Sequence, residues 1–397
     1  MTRALRIALP IHCLEPGGVE RVGMSLASQW QAAGHRVTVV LGRGGGSSSL
    51  CSAPPLDYWS IATRWPTARF ETPWMVHSLY SFLVQNPVDV LFCPGNTYAI
   101  VAAAIKMLLG EHAPPMVLKV SNALERRDMS PLMRRGYAIW LRAQGQLFDR
   151  AIALSEPMGR EVRERLARDS RQLRVIPNPL LTRARLRQLG RIKREPGSAW
   201  ATRYLAAGRL VPQKNLTLLI RAFSKAARPT DTLTIAGDGP ERAALERLAA
   251  ELCGRDQVRF IGHVASIDGL LASSDCLVLS SDYEGLPGVV VEALAASLPV
   301  LSTDCCVSMK SLVDHGRTGL LVPVGDEAAL VQGLKDLRAL RPDPERARRT
   351  AAQFEVESAA DAHLELMREL VREREQGLRQ KLALSALASS RLLDALS

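Results

Sequence analysis

Residues 275–304 read DCLVLSSDYEGLPGVVVEALAASLPVLSTD. An apolar run at 276–279 ends in a polar turn, a glycine-rich segment follows at 285–288, and a second apolar run closes the stretch. We interpret this order as strand, loop, helix and strand, the repeating unit of a parallel sheet. Such a loop leaves backbone N–H groups free at a helix start, where a phosphate or a hydroxyl binds. Two carboxylates, Glu284 and Glu292, flank that start.

The same alternation of apolar runs and helical segments fills most of the 397 residues. It is interrupted by an arginine-rich piece at 180–196, which we interpret as a linker. We therefore predict an α/β protein with two doubly wound parallel-sheet domains, residues 1–185 and 200–353, and with the helical residues 354–397 packed back on the first. Because ligands bind at the carboxyl ends of such strands, we expect the ligand in a cleft between the domains.

Composition narrows the class of partner. The net charge of +11 is compatible with nucleic acid, an anionic membrane surface or phosphorylated substrates, and it also fits a purely compositional origin. Aromatic residues make up only 5%, and no zinc-ligand spacing occurs, so we expect no nucleic-acid partner. The seven cysteines form no CxxC pair, and the longest apolar run, 98–109, is too short to span a bilayer. These features predict a cytoplasmic protein.

Eight segments in a fixed order resemble the retaining glycosyltransferases of family 4 (glycosyl transferases group 1), which have the GT-B fold. They are GGVERV at 17–22, LSEPM at 154–158, VIPNP at 175–179, AAGRLVPQKN at 206–215, TIAGDGPER at 234–242, VRFIGHV at 258–264, the Glu284–Glu292 pair and TGLLVPVGD at 318–326. Each segment alone is weak, but their order along the chain is specific.

The resemblance implies transfer of a sugar from a nucleotide-sugar donor with retained anomeric configuration and without a metal or another cofactor. By position, Arg209 and Lys214 would bind the donor diphosphate and, with Glu284 on the donor sugar, form the catalytic group. Glu292 would hold the ribose hydroxyls. The remaining donor-side positions supply backbone or edge contacts: Gly17, Gly18, Gly237, His263, Gly285, Leu286, Pro287 and Gly288.

Physical chemistry supports these roles independently, and each has a plainer alternative. A diphosphate without a metal needs cations, and Arg209 offers a planar fork while Lys214 offers a mobile point charge. A carboxylate accepts both hydroxyls of a ribose diol. The less favoured alternatives are a solvated surface charge for either cation, a turn residue for Glu284 and a surface helix residue for Glu292. Gly17 and Gly18 fit an ordinary helix entry, and Gly237 fits a simple turn.

One feature departs from the family pattern. Many relatives carry a histidine after the strand that corresponds to 116–120, and this chain reads Ser121-Asn122 there. Neither side chain is a useful base at neutral pH. Ser121, Asn122 and His12 are the candidates for contact with the acceptor. Deprotonation of the acceptor by the leaving diphosphate requires no protein base and tolerates the missing histidine.

The acceptor is least defined. A predicted helix at 130–148 combines apolar residues with arginines, which suits either the surface of an anionic membrane or an ordinary amphipathic helix with solvated arginines. The first interpretation favours a peripheral position on the inner face of the cytoplasmic membrane and a lipid-linked saccharide acceptor, in lipopolysaccharide, exopolysaccharide or other glycan synthesis. A nucleotide-sugar-binding regulator without catalysis and a sugar-nucleotide epimerase stay open as alternatives.

Overall fold

The computed structural model describes residues 3–14, 18–43, 55–63, 70–121, 124, 130–166, 169, 172–195, 197–198, 200–254 and 256–394, with the backbone alone described at 131 and 381–394. The chain divides into two compact units, each built on a parallel sheet. The first consists of Met1–Pro179 and Val356–Ser397, and the second of Leu180–Glu355. Gly17 and Asn122 of the predicted site lie outside the described residues.

The first unit contains seven described parallel strands in the order β3-β2-β1-β4-β5-β6-β7. The strands are β1 (Arg6–Ile11), β2 (Arg36–Leu41), β3 (Asp57–Trp59), β4 (Val90–Cys93), β5 (Met116–Lys119), β6 (Arg150–Ala153) and β7 (Leu173–Val175). The helices are α1 (Gly18–Ala32), α2 (Glu71–Gln85), α3 (Ala99–Leu109), α4 (Pro131–Leu147) and α5 (Glu156–Leu166). The central strands β1, β4, β5 and β6 are almost entirely buried because helices cover both faces of the sheet, as parallel sheets require.

The long last helix, which we label α14 (Val356–Asp394), belongs to this first unit. It packs against α1, where the Trp30 indole N–H donates to the carbonyl of Ala360 at 3.1 Å. Farther along, Arg150 bonds Glu373 at 2.5 Å and Arg174 bonds Glu369 at 2.8 Å. Apolar packing against α1 and two ion pairs to β6 and β7 therefore attach α14 to the first unit.

The second unit contains six described parallel strands in the order β10-β9-β8-β11-β12-β13. They are β8 (Arg203–Ala207), β9 (Thr232–Ala236), β10 (Val258–Gly262), β11 (Cys276–Leu279), β12 (Val300–Thr303) and β13 (Gly319–Val322). The helices are α6 (Arg183–Gly190), α7 (Leu216–Ala226), α8 (Arg242–Leu252), α9 (Asp268–Ser273), α10 (Gly288–Ala295), α11 (Met309–Leu312), α12 (Glu327–Asp336) and α13 (Pro344–Ala352). The predicted unit at 275–304 is β11, α10 and β12.

The structure corrects the interpretation of 180–196 as a linker. Residues 183–190 form helix α6, whose first turn is capped by the Thr182 hydroxyl, which accepts from the Arg185 N–H at 3.1 Å. Leu189 is fully buried against the second unit's core. The boundary therefore lies at Pro179–Leu180 rather than at 185–200, because α6 buries its apolar side there. Strand β3 and helix α2 were not predicted.

Candidate active site

The order of strands in the second unit defines a switch point. From β8 the chain proceeds to β9 and β10 on one side, whereas β11 leads to β12 and β13 on the other. The loops that follow β8 and β11 consequently separate at the carboxyl ends of two adjacent strands, which is where open α/β sheets bind ligands. Two loops occupy this position, residues 208–215 and residues 280–287.

Hydrogen bonds join these two loops. The Asp282 N–H donates to the Gln213 carbonyl at 2.9 Å, and the Asn215 amide donates to the Asp282 carboxylate at 2.8 Å. The Ser280 hydroxyl donates to the Lys214 carbonyl at 2.9 Å. Asn215 also adopts a left-handed conformation with φ of 43° and caps α7. Its side chain therefore caps the helix that follows the loop at 208–215 and also bonds the loop at 280–287. Lys214 is thereby positioned by backbone contacts on both sides.

Lys214 and Glu284 form the ionic centre of the site. The Lys214 Nζ lies 2.5 Å from the Glu284 Oε1, and 19% and 10% of the two side chains are exposed. The same carboxylate oxygen accepts from the Ser281 hydroxyl at 2.7 Å, and the Glu284 N–H donates to the Cys305 carbonyl at 3.1 Å. The pair is thus held from three elements and still reaches solvent, so a bound anion can compete with Glu284 for the lysine.

Arg209 supplies the second cation. Its side chain is exposed and forms no ion pair with any residue that the structure describes. Arg209, Lys214 and Ser280 line one depression at the switch point, together with the backbone of Gly208. The structure therefore brings together the two cations and the carboxylate that the sequence analysis selected.

Backbone N–H groups without a partner among the described residues lie at the start of α10. Helix α10 begins at Gly288 and has no side-chain cap, because Pro287 occupies the N-cap position. The N–H groups of Gly285, Leu286 and Gly288 donate to no acceptor in the described part of the chain. Free N–H groups of this kind bind oxygen atoms of a phosphate or a sugar.

Gly237 has a steric role. Its φ is 136°, and a Cβ atom there would lie 1.8 Å from the Gly208 carbonyl oxygen, so only glycine allows the loops after β8 and β9 to approach. His263 is exposed after β10, two strand spacings or roughly 10 Å from β8. Gly237 therefore supports the site by close packing, and His263 lies at its far edge.

Glu292 lies one turn into α10 and has partners that the sequence did not reveal. The Arg185 Nη2 lies 3.3 Å from the Glu292 Oε1 and 2.6 Å from the Asp268 Oδ1. Burial raises the pKa of the Glu292 carboxyl, and the hydrogen bond from Arg185 partly opposes this. The only sequence signal for Arg185 was its place in an arginine-rich segment, which carries no information about its partner.

In the first unit the corresponding switch point lies between β1 and β4. His12 follows β1, is buried, and stacks on Tyr98 with ring centroids 4.8 Å apart. Its backbone N–H donates to the Tyr98 hydroxyl at 3.1 Å, and that hydroxyl donates to Glu20 at 3.1 Å. Burial lowers the pKa of His12, and its buried Nδ1 has no partner among the described residues. A neutral ring with an unused nitrogen therefore lies at this edge.

Ser121 lies at the same edge of the first sheet. Its N–H donates to the Asn96 side chain at 2.9 Å, and its buried hydroxyl has no partner among the residues described. A Cβ on Gly95 would lie 3.0 Å from this hydroxyl and 2.7 Å from Val19, the second residue of α1. Gly18 at the start of α1 has open space around its Cβ position. The described candidates of the first unit thus lie around the ends of β1, β4 and β5.

A buried lysine was missed by the sequence analysis. Lys119 ends β5, has 1% of its surface exposed, and forms no hydrogen bond or ion pair with the described residues. Burial lowers its pKa to about 7. The buried His363 of α14 lies close enough for the charge on Lys119 to lower its pKa as well, although burial is the larger cause.

In the described residues, no cluster of three or more His, Cys, Asp and Glu side chains is arranged to hold a metal ion. Equally, none of the helices in that part of the chain is both long and apolar enough to cross a membrane.

Comparison with known proteins assigns both halves of the chain. The sequence profile described as Glycosyltransferase Family 4 matches residues 16–182, and the profile described as Glycosyl transferases group 1 matches residues 201–354. The two matches coincide closely with the two structural units and together cover most of the chain.

Curated relatives include three bacterial proteins. An exopolysaccharide phosphotransferase of Streptomyces coelicolor is 28% identical over 68% of this chain and 28% of its own length. The lipopolysaccharide core biosynthesis glycosyltransferase LpsD of Rhizobium meliloti is 31% identical over 49% of this chain and 54% of its own length. N-acetyl-alpha-D-glucosaminyl L-malate synthase of Bacillus anthracis is 25% identical over 94% of this chain and its full length. The chain thus spans about a quarter of the length of the Streptomyces protein and about half of the length of LpsD.

Solved structures identify the fold. The lipopolysaccharide outer core galactosyltransferase WaaB has a TM-score of 0.73 at 16% identity, covering 91% of this chain and 99% of that one. Anabaena HepE, in complex with UDP and glucose, has a TM-score of 0.66 at 19% identity, covering 91% and 98%. These similarities establish the predicted GT-B α/β fold. Because the two profiles match the two halves of the chain in order, the chain belongs to glycosyltransferase family 4.

Proposed function

We propose that the protein transfers a sugar from a nucleoside-diphosphate sugar, with UDP as the favoured nucleotide and GDP as the second, to a saccharide or lipid-linked acceptor. The anomeric configuration is retained and no metal takes part. One observation carries the proposal: Arg209 and Lys214 line one depression at the switch point of the second unit, and Glu284 pairs with Lys214 there. Two cations, one of which already has an anionic partner, suit a diphosphate that arrives without a metal ion.

The residues divide the donor between them. Arg209 and Lys214 bind the diphosphate, while the free N–H groups of residues 285–288 add hydrogen bonds. When the phosphate replaces Glu284 as the ion-pair partner of Lys214, the Glu284 carboxylate becomes free to accept a hydrogen bond from a hydroxyl of the donor sugar. Glu292, oriented by Arg185, accepts the ribose hydroxyls. His263 lies at the edge of this site on the side of β10.

The reaction proceeds on one face of the donor. The bond between the anomeric carbon and the diphosphate oxygen breaks, and the acceptor oxygen forms its bond to that carbon on the same face. The departing diphosphate oxygen takes the proton of the acceptor hydroxyl. Arg209 and Lys214 stabilise the negative charge that develops on the leaving group, which is the main source of rate enhancement in this mechanism. No protein base is needed, which fits the neutral His12 and the absence of a histidine at Ser121.

The nucleotide and the pathway are inferred from relatives. HepE has been solved with UDP and glucose and with UDP-glucose, which favours a UDP-sugar here. The names of LpsD and of the Streptomyces protein point to lipopolysaccharide or exopolysaccharide synthesis. We therefore place the acceptor in glycan synthesis of this type.

A panel of donors tests the proposal. Purified protein is incubated with UDP-, GDP- and ADP-sugars, and nucleotide release is followed with and without EDTA. Slow hydrolysis of one donor class that EDTA leaves unchanged supports the proposal. Binding of a donor without any turnover would instead indicate a regulator, and an altered sugar on an intact nucleotide would indicate an epimerase.

A surface of the first unit favours contact with an anionic membrane. On α4, 79% of Leu132, 61% of Met133 and 69% of Ile139 are exposed, and α4 carries arginines but no acidic residue. The neighbouring α3 exposes 83% of Met107 and also lacks acidic residues. Exposed apolar side chains among cations suit the headgroup region of a bilayer, here the inner face of the cytoplasmic membrane.

Flotation with vesicles tests this surface. We expect the protein to float with phosphatidylglycerol vesicles at low salt and not with phosphatidylcholine vesicles. Leu132→Ser/Ile139→Ser should abolish flotation, whereas Trp200→Ser, which removes an equally exposed side chain of the second unit, should not. Equal flotation of all three proteins would exclude α4 as the contact.

A further inference from the structure

A second basic pocket lies outside the proposed donor site. It is a depression of about 450 Å³ between α6 and α13, with the end of α10 as its floor. Four arginines line it, Arg183 and Arg187 from α6, Arg191 from the C-cap of α6 and Arg348 from α13, and we call it the arginine pocket. It contains no residue of the loops at 208–215 and 280–287, and its size is typical of small-ligand sites.

Three of the four arginines repeat at every fourth position. Arg183 and Arg187 therefore lie one turn apart on one face of α6, and the C-cap residue Arg191, whose backbone is still helical, continues that row. Like charges at this spacing destabilise an isolated helix. Arg185 lies on another face of α6 and bonds Asp268 and Glu292, so the helix directs this one arginine to the donor side and three to the pocket.

The charges of the arginine pocket are only partly compensated. Glu355, the one carboxylate in its lining, bonds Arg183 at 2.6 Å. Arg348 bonds the Ser297 hydroxyl at 3.1 Å and Glu345 at 3.2 Å. Arg187 and Arg191 form no ion pair or side-chain hydrogen bond with the described residues. Two guanidinium groups thus face a concave surface without a partner.

We propose that the arginine pocket binds an anion that carries two or more phosphate groups. Guanidinium groups bind phosphate oxygens in a bidentate manner, and several of them converging on one concavity favour a multiply charged ligand over a single carboxylate. Binding would relieve the repulsion along α6. The phosphates belong either to a soluble polyphosphorylated molecule or to a lipid headgroup, which share this chemistry. The inference does not depend on the proposed sugar transfer.

The test must remove the donor site, because its cations would bind the same probe. We take the full-length Arg209→Ala/Lys214→Ala protein as the parent and titrate it with inorganic tripolyphosphate by calorimetry at low ionic strength. We expect saturable binding that weakens as salt is added. Adding Arg187→Gln/Arg191→Gln should weaken binding by about 10-fold or more, since two charged hydrogen-bond donors are lost.

A matched control keeps the result specific. Arg259 and Arg341 are also exposed in the second unit and have no ion pair with the described residues, so Arg259→Gln/Arg341→Gln removes the same charge elsewhere. This control should bind as the parent does, and circular dichroism should show all variants folded. Absence of saturable binding by the parent, or equal weakening by both double substitutions, would overturn the proposal.

Vesicles of cardiolipin, a lipid whose headgroup carries two phosphate groups, distinguish the two sources of phosphate. If the protein sediments with the vesicles, and if both the Arg187→Gln/Arg191→Gln substitution and added tripolyphosphate reduce this sedimentation, the pocket binds a lipid headgroup. Tripolyphosphate binding that the substitution weakens, without any effect on sedimentation, would assign it to a soluble ligand.

Discussion

The ion pair of Lys214 and Glu284 is open to a double-mutant cycle, with Lys214→Met and Glu284→Gln as the single substitutions. The two charges are 2.5 Å apart and largely shielded from solvent. At an effective dielectric constant of about 20, unit charges 4 Å apart attract by ~4 kcal/mol. Because part of the lysine reaches water, we expect a coupling free energy of about 1–3 kcal/mol in urea unfolding.

The two single variants should differ in their affinity for UDP. Lys214→Met removes a charged hydrogen bond to phosphate, worth about 1.5–3 kcal/mol, so UDP should bind roughly 10- to 100-fold more weakly. Glu284→Gln releases Lys214 from its partner and leaves the phosphate contacts intact, so UDP should bind equally well or more tightly. Turnover of the donor should nevertheless fall in Glu284→Gln, because a neutral amide oxygen accepts the hydrogen bond of the sugar hydroxyl more weakly than the carboxylate does.

Calorimetry with UDP and GDP measures these affinities, and unfolding curves ensure that only folded protein is compared. If Glu284→Gln weakened UDP binding as much as Lys214→Met, the assignment of the phosphate to Lys214 and of the donor sugar to Glu284 would be wrong. A coupling free energy near zero would show that the pair contributes nothing to the unliganded loop.

Three further results follow from the geometry. Burial raises the pKa of Glu292, and the ionised carboxylate is the better acceptor for ribose hydroxyls. UDP affinity measured between about pH 5 and 8 should therefore fall as pH drops through this raised pKa, and Glu292→Gln should flatten the profile. Gly237→Ala places a Cβ 1.8 Å from the Gly208 carbonyl and should lower the free energy of unfolding by about 1–3 kcal/mol, measured in urea. The folded pKa of Lys119 is about 7, below its ordinary 10.5, so the unfolded chain binds more protons between these values and stability should rise with pH across that window. Lys119→Met should remove this rise and stabilise the protein at neutral pH by about 1–4 kcal/mol, whereas an unchanged pH profile would contradict the burial of an uncompensated amine.

Local sequence determined much of what could be predicted. The alternation of apolar runs and helices predicts both parallel sheets, and the rule that parallel strands present their carboxyl ends together brings Arg209, Lys214 and Glu284 to one edge. The sequence pattern indicates that Gly237 acts through its backbone. In the structure a glycine is needed there because the Gly208 carbonyl approaches closely, and not because of a ligand.

Long-range pairing and burial could not be predicted. Arg185 and Glu292 are 107 positions apart, and no local pattern links them. Helix α6 has mostly charged residues, so its few buried contacts, such as Leu189, were hidden by an arginine-rich composition typical of linkers. Lys119 ends an apolar run, and a lysine in sequence alone gives no sign that it will be buried without a partner.

Nucleotide release from the donor panel, compared between the native protein and Lys214→Met, tests whether this lysine binds the leaving diphosphate. We predict that one class of nucleotide sugar is hydrolysed at a rate that EDTA leaves unchanged and that Lys214→Met lowers by roughly 10- to 100-fold. Hydrolysis that EDTA abolishes, or that Lys214→Met leaves intact, would contradict the assignment of the diphosphate charge to this lysine and its neighbour Arg209.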